Sequence, residues 1–96
     1  MPCAYILANV DVLDPQAYEE YRRLSTIAMK AHGAEVCIRG GDVEVLEGDP
    51  GLKRVVLLKF PSREAARAFY DSNEYLAARK AREGIAHMKM ALVEGT

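Results

Sequence analysis

Between Arg39 and Ser62 two β-rich runs flank a cluster of turn formers, and this restricts the chain to folds with an antiparallel hairpin near the middle. Val43, Val45 and Leu46 precede Gly48-Asp49-Pro50-Gly51, and Val55-Val56-Leu57-Leu58 follow it. Gly40-Gly41, behind the strand-like Val36-Cys37-Ile38, can take backbone angles closed to other residues. A bulge or bend is expected there, with Arg39 beside it as a candidate for a fixed inward position. The strand then continues to Glu47. Pro61 has no amide to lend to a ladder and Ser62 is a good N-cap, so the second strand of the hairpin ends and a helix begins.

The flanking segments supply the remaining elements. Residues 4–12, AYILANVDV, read as a strand with Ala4, Ile6, Ala8, Val10 and Val12 on one face and Tyr5, Leu7, Asn9 and Asp11 on the other. Asp14-Pro15 starts a helix that runs to about Ala31 or His32, where Gly33 ends it. Its expected buried stripe is Ala17, Tyr18, Tyr21, Leu24, Ile27, Ala28 and Ala31. A strand begins at about Ala34. Ser62 opens a short helix with Ala65, Ala66, Phe69 and Tyr70 inward, Asp71-Ser72-Asn73 breaks it, and a restart carries on to about Glu83 before Gly84. Met88 to Val93 is the final strand, apolar on both sides.

The order β-α-β-β-α-β is the ferredoxin-like pattern, an α+β fold with a four-stranded antiparallel sheet and helices on one face. In it the first strand lies between the third and the fourth, so Cys3 and Cys37 sit on strands that are not neighbours and a disulfide between them is out of reach. Helices on one face leave Tyr5 and Leu7 on the other without a cover. Two subunits stacked sheet on sheet would provide it, closing a barrel-like core, and a homodimer is expected.

A chain of 96 residues fits one domain, residues 1–96, with a thin core of its own. Its 13 basic and 14 acidic residues leave a net charge of -1, which offers no footprint for nucleic acid or anionic membrane. No apolar run is long enough to span a bilayer, and a cytoplasmic location is expected. Cys3 and Cys37 read as small hydrophobes, and His32 and His87 lack ligand spacing, so no metal is expected. Neither a P-loop nor a dinucleotide fingerprint is present, so no cofactor is expected either.

Strand alternation suggests where chemistry would sit. If Val36 and Ile38 face the helices with Ile6, Ala8 and Val10, then Asn9, Asp11 and Arg39 face the other layer together. There Arg39 would bind a carboxylate or enolate oxygen through its planar fork, Asn9 would donate, and Asp11 would be a base. An Asp11–Arg39 ion pair fixing the dimer explains the same residues equally well. Tyr70 and Tyr75 flank the helix break, where a backbone opening can admit a ligand, whereas Tyr18 and Tyr21 read as core. Arg79 and Arg82 lie near that mouth or on a solvated face, and His87 is a candidate acid/base because it titrates near neutrality.

Several segments carry a family resemblance: AYILANVDVLDPQAYEEY at 4–21, RGG at 39–41, VLEG at 45–48, RVVLLKFPS at 54–62, AFYDSNEY at 68–75 and LVEG at 92–95. Together they resemble the small bacterial proteins known as domain of unknown function 1330. The resemblance implies a dimeric α/β barrel, in a superfamily that also houses antibiotic-biosynthesis monooxygenases and muconolactone isomerases, and it implies no activity. The chain departs from the family's pattern at Pro50-Gly51-Leu52, where an aromatic commonly follows the turn, and at Phe69-Tyr70, in place of Trp-Tyr. It departs again at Ser72-Asn73-Glu74-Tyr75-Leu76, in place of SPEYQ, and at Lys59, in place of an acidic residue.

Three functions remain open at this level. The first is an enzyme acting without a cofactor on a small carbonyl-containing or aromatic metabolite, by proton transfer or oxygenation. The second is a ligand-binding or stress-related homodimeric module without chemistry. The third is a structural dimer with a solid interior.

Overall fold

In the computed structural model, which describes residues 2–49 and 51–96, Asp14 accepts a hydrogen bond from the Ala17 amide at 3.1 Å. Pro15 takes the first helical position behind it, where its missing amide is no loss. The helix so started, α1 (Pro15–Ala31), joins β1 (Ala4–Val12) to β2 (Glu35–Gly41). β3 (Arg54–Phe60), α2 (Arg63–Tyr70), α3 (Asn73–Ala81) and β4 (Ala86–Glu94) follow. The strands form an antiparallel sheet in the order β2-β3-β1-β4, with β1 between the third and fourth strands as the sequence predicts. Both cysteines are free.

The core lies between one face of the sheet and the helices. Ala4, Ile6, Ala8 and Val10 of β1, with Leu58 and Phe60 of β3, are buried there. From the helices Tyr18, Tyr21, Ala28, Ala66, Phe69, Tyr75 and Ala78 close over them. The buried stripe of α1 is turned from the expected one: Ser25 and Met29 are buried, while Ile27 is 47% exposed. The break between α2 and α3 falls at the predicted residues. Ser72 Oγ donates to the Phe69 carbonyl at 2.7 Å and accepts from the Tyr75 amide at 3.1 Å, so one hydroxyl ends one helix and starts the next.

Two bulges interrupt β2. The pairing shifts between Val36 and Ile38 and again between Arg39 and Gly41. The second is the predicted one, with Gly40 at φ 71, a left-handed angle that a side chain would strain. The first, at Cys37, has no glycine to announce it. Its extra residue inverts the alternation, so Ile38 pairs with Leu57 on the open face and Arg39 pairs with Val56 on the helix face.

The predicted run to Glu47 is not a strand. Pairing of β2 ends at Gly41 opposite Val55, and residues 42–49 and 51–53 are not strand, with Leu46 89% exposed. The side chain of Asn9 sets this limit: its amide donates to the Gly51 carbonyl at 3.1 Å and accepts from the Lys53 amide at 2.9 Å. Held there, residues 51–53 leave Val43 and Val45 with no strand to pair. Pro50, part of the predicted turn, lies outside the described residues.

Candidate functional site

A hollow remains where α1 and α3 stand off the sheet. Ile6, Ala8 and Val10 form its floor with Val56 and Leu58, and Met88 and Met90 form the β4 side. Tyr18, Tyr21, Ser25 and Met29 come down from α1, and Phe69 and Tyr75 from the other helices. Arg22, Arg39 and Arg54 complete the lining. Arg22 and Arg39 also border the open groove beside Thr26 and Ile27, which puts them at the mouth. The space open to the centres of water molecules is about 40 Å³, enough for a few waters. Three methionines in the walls, Met29, Met88 and Met90, give it room to adapt, because an unbranched thioether repacks readily.

The inner end of the hollow is built from phenols. The hydroxyls of Tyr21 and Tyr75 are hydrogen-bonded at 2.7 Å, the thioethers of Met88 and Met90 stand 3.8 and 3.4 Å from them, and the one hydroxyl proton not spent within the pair donates to its thioether. Tyr75 is 1% exposed and its ring lies 4.7 Å from that of Phe69. Behind the pair, the Arg82 guanidinium stands 5.9 Å from the centre of the Tyr21 ring, and its buried Nε has no protein partner among the described residues.

Burial pushes all three phenols upward. For Tyr21, desolvation and the neighbouring Tyr75 act together. For Tyr75, desolvation outweighs the opposing hydrogen bond from Tyr21 and the charge of Arg82. For Tyr18, desolvation outweighs the fields of Arg54, Arg22 and Arg82. At neutral pH these groups are therefore neutral donors rather than bases.

A stability profile follows from that direction. The folded values lie above the ordinary 10.0, so the stabilisation from keeping these phenols neutral is whole below that pH. It is lost as the pH rises further, because the unfolded chain can then ionise its tyrosines and the folded chain cannot. Unfolding free energies from urea denaturation are expected to be flat from about pH 8 to 9.5, then to fall by about 1.4 kcal/mol per pH unit for each buried phenol. A free energy unchanged to about pH 11.5 would mean that the pair is not sealed from water.

The residues singled out in the sequence fall on two sides of the sheet. Arg39 and Tyr75 line the hollow. Tyr70 stands beside it, 5.7 Å from the Tyr75 ring, in a second hollow against Met90 and Leu92, with the Arg79 guanidinium 4.5 Å from its ring centre. Asn9, Asp11 and His87 occupy the opposite face, Asp11 directly across from His87 in the β1–β4 register. The expected grouping of Asn9, Asp11 and Arg39 is thus corrected. The extra residue at Cys37 turns Arg39 toward the helices, where its Nη2 donates to Thr26 Oγ1 at 2.7 Å. Asp11 and Arg39 form no ion pair, and Asn9 is occupied in holding residues 51–53.

Sequence reasoning missed Arg22, Arg54, Ser25 and the two methionines of β4, and took Tyr21 for plain core. No spacing links them, since the three arginines come from α1, β2 and β3. The lining holds no Asp, Glu or His. Among the described residues no group of three or more His, Cys, Asp or Glu could hold a metal ion, and no helix is long and apolar enough to cross a membrane.

Comparisons place this geometry among known proteins. Residues 3–96 match the family described as Domain of unknown function (DUF1330). No curated protein matches the chain. A protein of unknown function from Rhodopseudomonas palustris shares 20% identity over 99% of this chain and 83% of its own, with a TM-score of 0.76. SnoaB, a cofactor-independent oxygenase from Streptomyces nogalater, shares 11% identity over 100% of this chain and 95% of its own, with a TM-score of 0.62. A dimeric protein of unknown function and ferredoxin-like fold from Bacteroides fragilis shares 13% identity over 97% of this chain and 95% of its own, with a TM-score of 0.54. At such identities the likeness is one of fold.

Proposed function

The chain belongs to the DUF1330 family, a family described by no activity, and from that premise we propose that the hollow between sheet and helices binds a small carbonyl-containing or aromatic metabolite. The observation that carries this reading is the pair of hydroxyls, Tyr21 and Tyr75, at the inner end of an otherwise apolar hollow with arginines at its mouth. Filling the space with side chains alone would have been simpler than burying two phenols and bringing guanidiniums to its edge. The apolar walls take a hydrocarbon or ring, a neutral phenol donates to a carbonyl oxygen, and Arg39 meets a polar group at the entrance.

Chemistry in this hollow would have to run without a carboxylate or imidazole, since Asp11 and His87 face the other way. Proton transfer by either residue is therefore set aside. The enzymatic reading that remains is oxygenation of a bound metabolite without a cofactor, the kind of activity that the fold's Streptomyces nogalater member carries. The absence of an ordinary base from the walls favours the second reading, a module that binds its metabolite and leaves it unchanged.

The same proposal covers assembly and location: a cytoplasmic homodimer, one such domain per subunit, stacked through the open sheet face. Leu7, Ile38 and Val93, at 41%, 40% and 48% exposed, make that face apolar, and the Bacteroides fragilis protein of this fold is dimeric.

Native mass spectrometry of the protein purified from its own host, with analysis of whatever denaturation releases, tests the ligand. A dimer carrying up to one small carbonyl or aromatic compound per subunit is expected. Consumption of that compound over time identifies an enzyme, and its recovery unchanged identifies a binding module. Equal recovery from an Arg39→Ala, Tyr75→Phe double variant would put the ligand elsewhere.

A further inference from the structure

Resting on the reading of the hollow as a ligand site, we propose that its occupant is a small carboxylate, gripped by Arg39 at the mouth and by Arg54, and that Arg54 decides the preference for an anion. The three guanidiniums of the lining are not equivalent, Arg22 and Arg39 standing at the open groove and Arg54 further in. Arg22 is committed to Glu19 at 3.1 Å. Arg39 spends one nitrogen on the Thr26 hydroxyl, which fixes the side chain and leaves the other edge of its fork open. No carboxylate among the described residues lies within ion-pairing distance of Arg39 or Arg54.

Arg54 is also built in. It stands at the start of β3 opposite Val10, half-buried, and packs across the second bulge of β2. A Cβ at Gly40 would strike Arg54 Nε and come within 3.2 Å of Cζ, so the bulge glycine leaves the space that this guanidinium fills. Arg54 therefore has a defined position and no counter-charge.

The chemistry of the occupant follows from these positions. A guanidinium stays charged throughout the physiological range, and its planar fork matches a carboxylate with two parallel hydrogen bonds. No acidic side chain lines the hollow itself, and Glu19 at the open groove is paired with Arg22. The apolar floor and the small volume take a short or flat carbon skeleton, and the phenols at the inner end suit a second oxygen at its far end. A neutral ligand would leave Arg54 unanswered.

Calorimetric titration of the dimer with benzoate, crotonate and 2-oxobutanoate, each beside its amide, tests the proposal. At least one acid is expected to bind about tenfold more tightly than its amide, since a hydrogen bond to a charged group is worth more than a neutral one. That advantage is expected to narrow at about 0.5 M salt without vanishing, because a half-buried guanidinium is screened less than an exposed one, while amide affinity stays put. Arg54→Gln and Arg39→Gln are each expected to weaken the acid about tenfold and the amide much less, with circular dichroism as the check on folding. Should either variant unfold, the comparison of each acid with its amide on the unaltered protein decides. Amides that bind as well as or better than the acids would overturn the anion preference and leave the ligand hollow standing. Failure of every acid and every amide to bind would remove both.

Discussion

A Leu7→Asp variant is expected to sediment as a monomer at concentrations where the unaltered protein is a dimer. Leu7 sits mid-sheet on the open face, across from Leu57 on one side and Ala91 on the other, and is 41% exposed in the isolated subunit. Stacking two sheets would bury it, and a carboxylate in its place would be desolvated without a partner in each of two subunits. An uncompensated buried charge costs about 3–5 kcal/mol, so the dissociation constant should rise by at least about a hundredfold. Sedimentation velocity over about 1 to 100 μM resolves a change of that size. Lys89→Ala, toward the polar end of the same face where Asn9, Asp11 and His87 lie, should be nearly silent by comparison. A Leu7→Asp protein that stays dimeric would mean that another surface joins the subunits.

The second large effect concerns the wall of the hollow. Phe69→Ala should lower the stability of the fold by about 3–5 kcal/mol, a large part of what a domain of this size has. Phe69 is 0% exposed, with ring centres 5.3 Å from Phe60 and 4.7 Å from Tyr75. It ties α2 to β3 and to α3, and truncating it leaves a cavity that these rings cannot close without moving Tyr75 off Tyr21. Urea denaturation measures the loss. Tyr75→Phe, which keeps the ring and deletes the hydroxyl, should cost much less because packing is retained, though it strands one Tyr21 hydrogen bond. A Phe69→Ala loss under about 1 kcal/mol would show that the aromatic cluster is not what holds the helices on the sheet.

Local signals made most of this fold legible. Asp14-Pro15, Ser62 and Ser72 each cap a helix where they stand in the sequence, and the even residues of β1 from Ala4 to Val10 are buried as their alternation demands. These features depend on residues a few positions apart. The candidate site depends on register, and there one residue was decisive. The Gly40 bulge is visible because glycine marks the left-handed angle, whereas the Cys37 bulge uses an ordinary residue and leaves no mark. Missing it sends Arg39 to the wrong face and assembles Asn9, Asp11 and Arg39 into a cluster that does not exist. The extent of β2 was illegible for a similar reason, because it is set by Asn9 gripping residues 42 and 44 positions away. The convergence of Arg22, Arg39 and Arg54 is a property of three elements meeting in space, which periodicity along one element cannot express.

Chemical-shift mapping of the nitrogen-15-labelled protein with benzoate tests most directly whether the ligand site lies on the helix side of the sheet. Perturbations should concentrate at Tyr21, Ser25, Gly40, Val56, Met88 and Met90, all of which line the hollow. Shifts centred instead on Asn9, Asp11, His87 and Lys89 would move the site to the open face and contradict the placement of Arg39 as its entrance.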